Sequence, residues 1–377
     1  MAERVEIIGV GSEGFRPAIT DLSTRELMYE AAAKAYDDAG VDPRKDVGSF
    51  ITCTEDFWEG WSITDEMVPD QVGGAGRPVC TVPADGIIGL GQALMHIRSG
   101  VADVVAVEAH SKVADVLDKQ AVENLALDPT YQRVTGANSD VLAGLEMSAF
   151  MKSTGTTRDE LSRAVSSSKK RAMSNSRASY GADMKPRDVS EAEPLSLPLR
   201  RYDKPDFAEA AVVLVLASER WAKKNKKEGV SVDGLAWMSA TPWFEGGDVQ
   251  GASYLSRAWK AVMKQTGLSS TSGFDILEVD DTYSYKLFQH LGALGLNLTD
   301  ASKLAQDGGR RLNPSGGSLG TGYLIEASGS HRVLECVLQL TGRAGGNQVK
   351  AAKRALATSW RGNPTGTGAA VALSVGS

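Results

Sequence analysis

Cysteine and histidine, the residue types that most often carry nucleophilic or metal chemistry, are scarce in this chain. Its 377 residues include three cysteines and four histidines. Cys53, Cys80 and Cys336 are scattered and odd in number, which excludes a disulfide framework and a metal-ligand spacing. A reducing compartment fits that usage. His96, His110, His290 and His331 have no Ser, Cys or second His at the spacing of a triad or a metal site, so no metal is expected. No apolar run approaches the length of a membrane span. The start, MAERVEIIGVG, lacks a basic stretch followed by a long apolar core, so no signal peptide is expected. A cytoplasmic protein that does not enter membranes is the resulting expectation. There is no excess of positive charge either. The formal net charge is −6, which argues against nucleic acid as a partner. Small acidic ligands remain open, because a local basic patch is enough to hold them.

What is present describes a folded chain. Apolar residues make up 42% and charged residues 23%, enough to bury a large core. Short β-branched runs alternate with helical patterns, which predicts an α/β fold with mainly parallel strands. Strands are expected at Val5–Val10, Val47–Thr52, Pro78–Val82, Val101–Val107 and Ala211–Ala217. Ser23–Gly40 reads as an amphipathic helix, with Ser23 and Glu26 at capping-box spacing and Gly40 at the stop. The alternation restarts with strands at Val230–Met238, Phe274–Val279, Ala355–Trp360 and Ala369–Val375. Helices around Ser253–Thr266 and Ser328–Thr341 lie between them. Two similar half-chains follow, residues 1–229 and 230–377. Residues 113–205 are polar and interrupt the first half as an insertion of helices and long loops over one end of the sheets.

Several motifs carry a bland reading beside a chemical one. Gly9, Gly11 and Gly14 form G-x-G-x-x-G after a strand, but no helix opens within the motif. A glycine-rich loop at an edge of the core is therefore expected rather than a dinucleotide site. Cys80 lies in an apolar strand, PVCTV, and reads as a buried structural cysteine. Lys169, Lys170 and Arg171 would suit the phosphates of a nucleotide-bearing substrate, although a solvated face explains them as well. In Leu277–Leu296, LEVDDTYSYKLFQHLGALGL, a strand ends in two carboxylates before an aromatic helix. Capping accounts for Asp281 and leaves Asp280 the freer of the two. In Asn313–Glu335, NPSGGSLGTGYLIEASGSHRVLE, glycines allow a ligand to approach the backbone, and Tyr323 interrupts them. His331 follows on a helix that could border a cleft.

Residues 82–100, VPADGIIGLGQALMHIRSG, resemble the nucleophile turn and buried helix of a thiolase. Pro83-Ala84-Asp85-Gly86 stands where C-A-S-G would. Leu277–Leu296 resembles the V-E-V-H-D-C-F-T segment and L-G-L helix of the sterol-carrier-protein and archaeal thiolases. Asn313–Gly317 with Gly322–Gly329 resembles their N-P-S-G-G and G-H-P-x-G-A-T-G. Leu145-Glu146-Met147, Ser174–Tyr180 and Pro194-Leu195 match the inserted region in order. The resemblance spans nearly the whole chain. It implies duplicated α/β/α/β/α layers with an inserted loop domain and coenzyme A thioesters as substrates, with no permanently bound cofactor. It also implies a homodimer formed through the strand near Pro78–Val82, and a small zinc-ribbon/OB-fold partner subunit.

The departures fall at the chemistry. The acylated Cys falls at Pro83, and the two active histidines fall at Asp280 and Tyr323. Thiolase-like aldolases that shorten steroid side chains also lack the Cys and carry tyrosine at the position of Tyr323. That partial likeness implies carbon–carbon bond cleavage or formation of the retro-aldol type, without an acyl-enzyme. Tyr323 would be the donor and Asp280 the base, with Asp85 able to replace either. Gly317, Gly322, Ser328, Gly329 and His331 would contact coenzyme A. Two rival expectations are an acyltransferase using a displaced Cys80 and a non-catalytic coenzyme A-binding scaffold.

Overall fold

The computed structural model describes residues 3–241, 248, 250–306, 311–362 and 366–376. The first strand, β1 (Val5–Arg16), is longer than its β-branched run because Gly9 and Gly11 lie inside it. This corrects the expected glycine-rich loop. A Cβ at Gly9 would fall 2.5 Å from the Ala39 Cβ, and one at Gly11 would fall 2.3 Å from the Ala31 carbonyl oxygen. These glycines let helix α1 (Thr24–Ala39) lie directly on the strand. The Ser23–Glu26 capping box opens α1, and Gly40, with φ of 58°, closes it. Strands β2 (Ser49–Cys53) and β3 (Val79–Val82) follow, then helix α2 (Gly86–Arg98) and strand β4 (Val104–Ser111).

The insertion carries helices α3 (Lys119–Asn124), α4 (Ser139–Thr154), α5 (Arg158–Ala172) and α6 (Pro186–Ser190). A two-stranded ribbon, β5 (Pro194–Ser196) and β6 (Leu199–Arg200), completes it. The chain then returns as β7 (Glu209–Ser218), followed by the short helix α7 (Glu219–Lys224). The second half runs through β8 (Val230–Ser239), α8 (Ser253–Thr266), β9 (Ile276–Glu278), α9 (Ser284–Ala293) and α10 (Leu298–Gln306). It ends with α11 (Gly317–Thr321), α12 (Ala327–Leu340), β10 (Arg354–Arg361) and β11 (Thr367–Ser374). Among the described residues no helix is long and apolar enough to cross a membrane.

The main sheet has the order β3-β2-β4-β7-β1-β8-β11-β10-β9. Outward from the centre, β1-β7-β4-β2 on one side corresponds to β8-β11-β10-β9 on the other. Each series pairs antiparallel, antiparallel, then parallel. This repeat supports the division we propose at residues 229 and 230. The expectation of mainly parallel strands is corrected, since five of the eight pairings of the main sheet among the described residues are antiparallel. Strand–helix alternation identifies the parallel crossovers but misses the returning strand of each half. The link from β10 to β11 is too short for a helical crossover, which makes that pair antiparallel.

The two faces of the strands belong to different cores. Val105, Val107, Val212 and Leu214 pack with α2, while Val104, Ala106, Val213 and Val215 pack with α1. In the second half Ala355, Ala357 and Val371 join α12, and Leu356, Ala370 and Ala372 join α8. α2 and α12 therefore share one apolar core between the two series of strands, giving α/β/α/β/α layers. Every residue of α12 is buried. The sheet halves meet through a narrow seam, Glu6 opposite Ser231 and Ile7 opposite Val230.

Charges lie inside this core. Asp85 accepts from the Ile87 N–H at the start of α2 (2.9 Å) and from the Gly329 N–H at the start of α12 (2.8 Å). One carboxylate thus caps both central helices. Burial pushes its pKa up to about 6, against the pull of these donors and of Arg332. Arg332 is itself buried and lies 2.9 Å from Asp280, an ionic contact rather than an aligned hydrogen bond. It also donates to the Ser318 hydroxyl at 2.6 Å. Burial opposes the Arg332 charge, but Asp280, Asp281, Asp85 and Glu278 outweigh it and raise its pKa. Glu278 is pushed up to about 8 by burial, then by Glu335.

Asp85→Ala removes the acceptor for two helix N-termini at once. It should lower stability by about 1–4 kcal/mol, twice the range of one cap, measured by urea unfolding. A loss no greater than that of an exposed alanine substitution would refute the double cap. Glu278 supplies a pH test. Its folded pKa of about 8 exceeds the ordinary glutamate value of 4.5, so its contribution is fully present below pH 4.5 and lost as pH rises through 8. Glu278→Gln, which mimics the protonated acid, should gain stability relative to wild type as pH rises across that window. Parallel urea midpoints of the two proteins from pH 4.5 to 8 would count against it.

Candidate functional site

The N-terminal end of α2 opens on a cavity of ≈ 890 Å³. Pro83 and Ala84 line it beside the loop after β2, α3 of the insertion, the ends of β8 and β10, and the segment containing Tyr323. Aromatic residues are 6% of the chain, yet Phe57, Trp58, Phe207, Trp237, Tyr283, Tyr323 and Trp360 all border this space. They form two runs of rings. Phe207 lies 5.9 Å from Trp58 and 5.6 Å from Tyr323, while Tyr283 lies 6.0 Å from Trp360. Such walls suit an apolar ligand with few polar contacts.

Tyr323 is placed by backbone geometry. The preceding Gly322 has φ of 108°, a conformation that excludes most side chains. The Tyr323 N–H donates to the Asp206 carbonyl (2.8 Å), and the Ala208 N–H donates to the Tyr323 carbonyl (3.0 Å). This short bridge fixes the ring beside Phe207. Burial holds the Tyr323 pKa well above the usual phenol value, and Glu326 and Glu123 raise it further. The group is therefore a proton donor at neutral pH, not a phenolate.

The other sequence candidates do not line this cavity. Asp280 accepts from the Thr282 N–H (3.1 Å) and pairs with Arg332, so the side chain expected to be free is committed. Asp281 accepts from the Ser318 N–H at 2.6 Å and caps α11. Asp85 holds the two central helices. A Cβ at Gly317 would fall 2.0 Å from Asp281 Oδ2, one at Gly322 would fall 2.5 Å from the Ala208 Cβ, and one at Gly329 would fall 1.9 Å from Asp85 Oδ1. Close packing inside the protein accounts for these glycines. The Ser328 hydroxyl accepts from the Leu324 N–H at 3.2 Å. His331 is buried against Phe15, 5.1 Å between rings, with Nε2 3.3 Å from Glu335. It borders no part of the cavity, because α12 is enclosed on all sides.

Three further expectations change. Cys80 is exposed rather than buried. It sits on β3, the end strand of the sheet. The run Lys169–Arg171 is split by the turn of α5. Lys169 is buried near the Tyr180 and Tyr202 rings, Lys170 pairs with Asp183, and Arg171 donates to the Asn313 carbonyl. They form no common basic face. His290 is packed as its apolar neighbours imply, and burial lowers its pKa to about 4.

Sequence reasoning also passed over several charged groups around the cavity. Arg361 lines the rim, paired with Glu55 and, at 2.7 Å, with the buried Glu326. Behind the wall Lys286 pairs with Glu146 at 2.6 Å and lies 4.6 Å from the centre of the Trp360 ring. Glu123 on α3 enters the cavity from the insertion. For Lys286 the available signal was a charge inside an apolar helix, SYKLFQHL; Arg361 at a strand end and Glu123 on a short polar helix carry no such mark.

Several known proteins resemble this chain in sequence and fold. Residues 247–373 match the family described as thiolase C-terminal domain-like. The acetyl-CoA acetyltransferase of Methanothermobacter thermautotrophicus is 26% identical over 364 residues, covering 93% of this chain and 94% of that protein. Sterol carrier protein 2 of Gallus gallus is 24% identical, covering 94% of this chain and 69% of that protein. The solved Ltp2-ChsH2(DUF35) aldolase shares the fold, with a TM-score of 0.82 at 21% identity over 98% of this chain and 97% of that one. The duplicated layers, the order of the segments and these likenesses converge: the chain is a member of the thiolase superfamily.

Proposed function

We propose that this protein cleaves or forms a carbon–carbon bond in an acyl-CoA thioester by retro-aldol chemistry, without an acyl-enzyme. The observation that carries the proposal is a phenol, Tyr323, in a cavity to which no cysteine contributes. Pro83 stands at the mouth of α2 and has no nucleophilic group. Cys53 and Cys336 are buried elsewhere, and Cys80 is exposed outside the cavity. Thiolase chemistry needs a thiolate to take the acyl group. Retro-aldol cleavage needs only a base for the 3-hydroxyl proton and a donor for the enolate that departs. Tyr323, kept protonated by burial, supplies that donor. The position of Cys80 speaks against its use as a displaced nucleophile.

The aldolase neighbour pairs with a DUF35 protein in its own assembly. That supports a small partner subunit of the zinc-ribbon/OB-fold kind for this chain as well. The end strand β3 is the edge through which we propose a homodimer.

Wild-type protein, purified with any subunit that accompanies it, should convert a 3-hydroxyacyl-CoA into a shorter acyl-CoA and a carbonyl product, both detected by mass spectrometry. Tyr323→Phe should lower kcat by roughly 10²-fold or more. Equal turnover by wild type and Tyr323→Phe would sink the role of the phenol. A covalent acyl adduct on any cysteine would sink the mechanism.

A further inference from the structure

We propose that Glu123 is the general base of this site, the group that takes the 3-hydroxyl proton. The proposal rests on the retro-aldol reading and names the residue that reading lacks.

The argument is an elimination followed by a geometry. Among the described residues three carboxylates line the cavity: Glu55, Asp56 and Glu123. Glu55 is paired with Arg361. Asp56 is exposed to solvent and accepts from the Thr64 N–H (3.2 Å) and hydroxyl (3.1 Å). No histidine lines the cavity. Lys204 does, but it pairs with Asp140. Glu123 differs from Glu55 in forming no ion pair among the described residues, and from Asp56 in being half-buried. Oε2 accepts from the Ser139 hydroxyl and from Gln120 Nε2 at 3.2 Å. No donor among the described residues reaches Oε1. The side chain is thus held by one oxygen and presents the other.

Its surroundings suit proton transfer. Burial raises the Glu123 pKa, while Ser139, Lys204 and Gln120 lower it and Asp140 raises it again. A carboxylate made more basic by a half-buried setting is a better proton acceptor than an exposed one. Its charge is also felt at the Tyr323 phenol, so the two groups act on one space.

The step balances with these two residues alone. Glu123 Oε1 takes the proton of the 3-hydroxyl group as the C3–O bond becomes a carbonyl. The C2–C3 bond breaks, and its electron pair becomes the enolate of the thioester. Tyr323 gives its proton to C2, which yields the shortened acyl-CoA. The proton on Glu123 then returns to the Tyr323 phenolate, and both groups regain their starting states. No oxidant or reductant is consumed.

The test uses the full chain, with any subunit that accompanies it, and a panel of 3-hydroxyacyl-CoAs differing in acyl length and ring content. Glu123→Gln keeps an acceptor for Ser139 but has no base. It should lower kcat by roughly 10²–10⁴-fold, change KM less than threefold, and abolish the acid limb of the kcat/KM profile. Ser139→Ala removes a hydrogen bond that lowers the Glu123 pKa, so its acid limb should move to higher pH while most of kcat is kept. Unchanged urea midpoints would show that both variants fold. Active wild type together with a Glu123→Gln variant that keeps turnover within tenfold and retains the acid limb would overturn the assignment alone. Wild type that cleaves none of the panel would overturn the retro-aldol reading and the assignment with it.

Discussion

The Arg332 guanidinium is enclosed by α12 and by the ends of the strands and turns that meet it. Four carboxylates act on it: Asp280, Asp281, Asp85 and Glu278. A lone buried cation would be costly, and so would each acid without it. Together they make a charged centre in a core that is otherwise apolar. Asp85 caps two helices, Asp281 caps α11, and Glu278 accepts from the Ser315 hydroxyl at 2.7 Å and its N–H at 3.1 Å. The turns that deliver Tyr323 to the cavity therefore start from groups whose charge Arg332 balances. Removing the cation would leave these acids uncompensated, typically at about 3–5 kcal/mol.

This arrangement explains why, of the three side chains the sequence singled out for chemistry, Tyr323 borders the cavity while Asp280 and Asp85 do not. The strand ending in Asp280-Asp281, the glycine-rich stretch and the mouth of α2 do meet, but they meet through Arg332 inside the protein. In a linear reading, a carboxylate at the end of a strand looks the same whether it faces ligand or a buried guanidinium. Helix α8 was legible to the residue because an amphipathic stripe and a closing glycine mark both its ends. Gly9 and Gly11 were misread because close packing against a helix leaves no local signature. The sense of β7 was hidden by the long insertion before it. Glu123 drew no notice because it lies on a short helix, among ordinary polar residues of that insertion.

The division of labour in the fold is consequently sharper than a list of motifs implies. The two central helices and their charges provide rigidity. The rings and the free carboxylate oxygen come from elsewhere: Trp58 from the loop after β2, Glu123 and Phe207 from or beside the insertion, Trp360 from β10. A site assembled from peripheral loops on a fixed centre can exchange a thiol for a phenol without disturbing the core. Pro83 is compatible with the helix that follows, because Asp85, two residues on, supplies the cap.

The double cap by Asp85 has a consequence for how the chain unfolds. The acid belongs to the first half and one of its donors, Gly329, to the second. Neither central helix keeps its full set of partners once the other has left. The seam between β1 and β8 spans two residue pairs and could not hold the halves by itself. Cooperativity is therefore expected to reside in the shared helical layer, with the halves losing structure together as one unit. A duplicated architecture would otherwise be expected to come apart in two stages. The repeat visible in the path of the chain is thus bound into one cooperative layer by a single carboxylate.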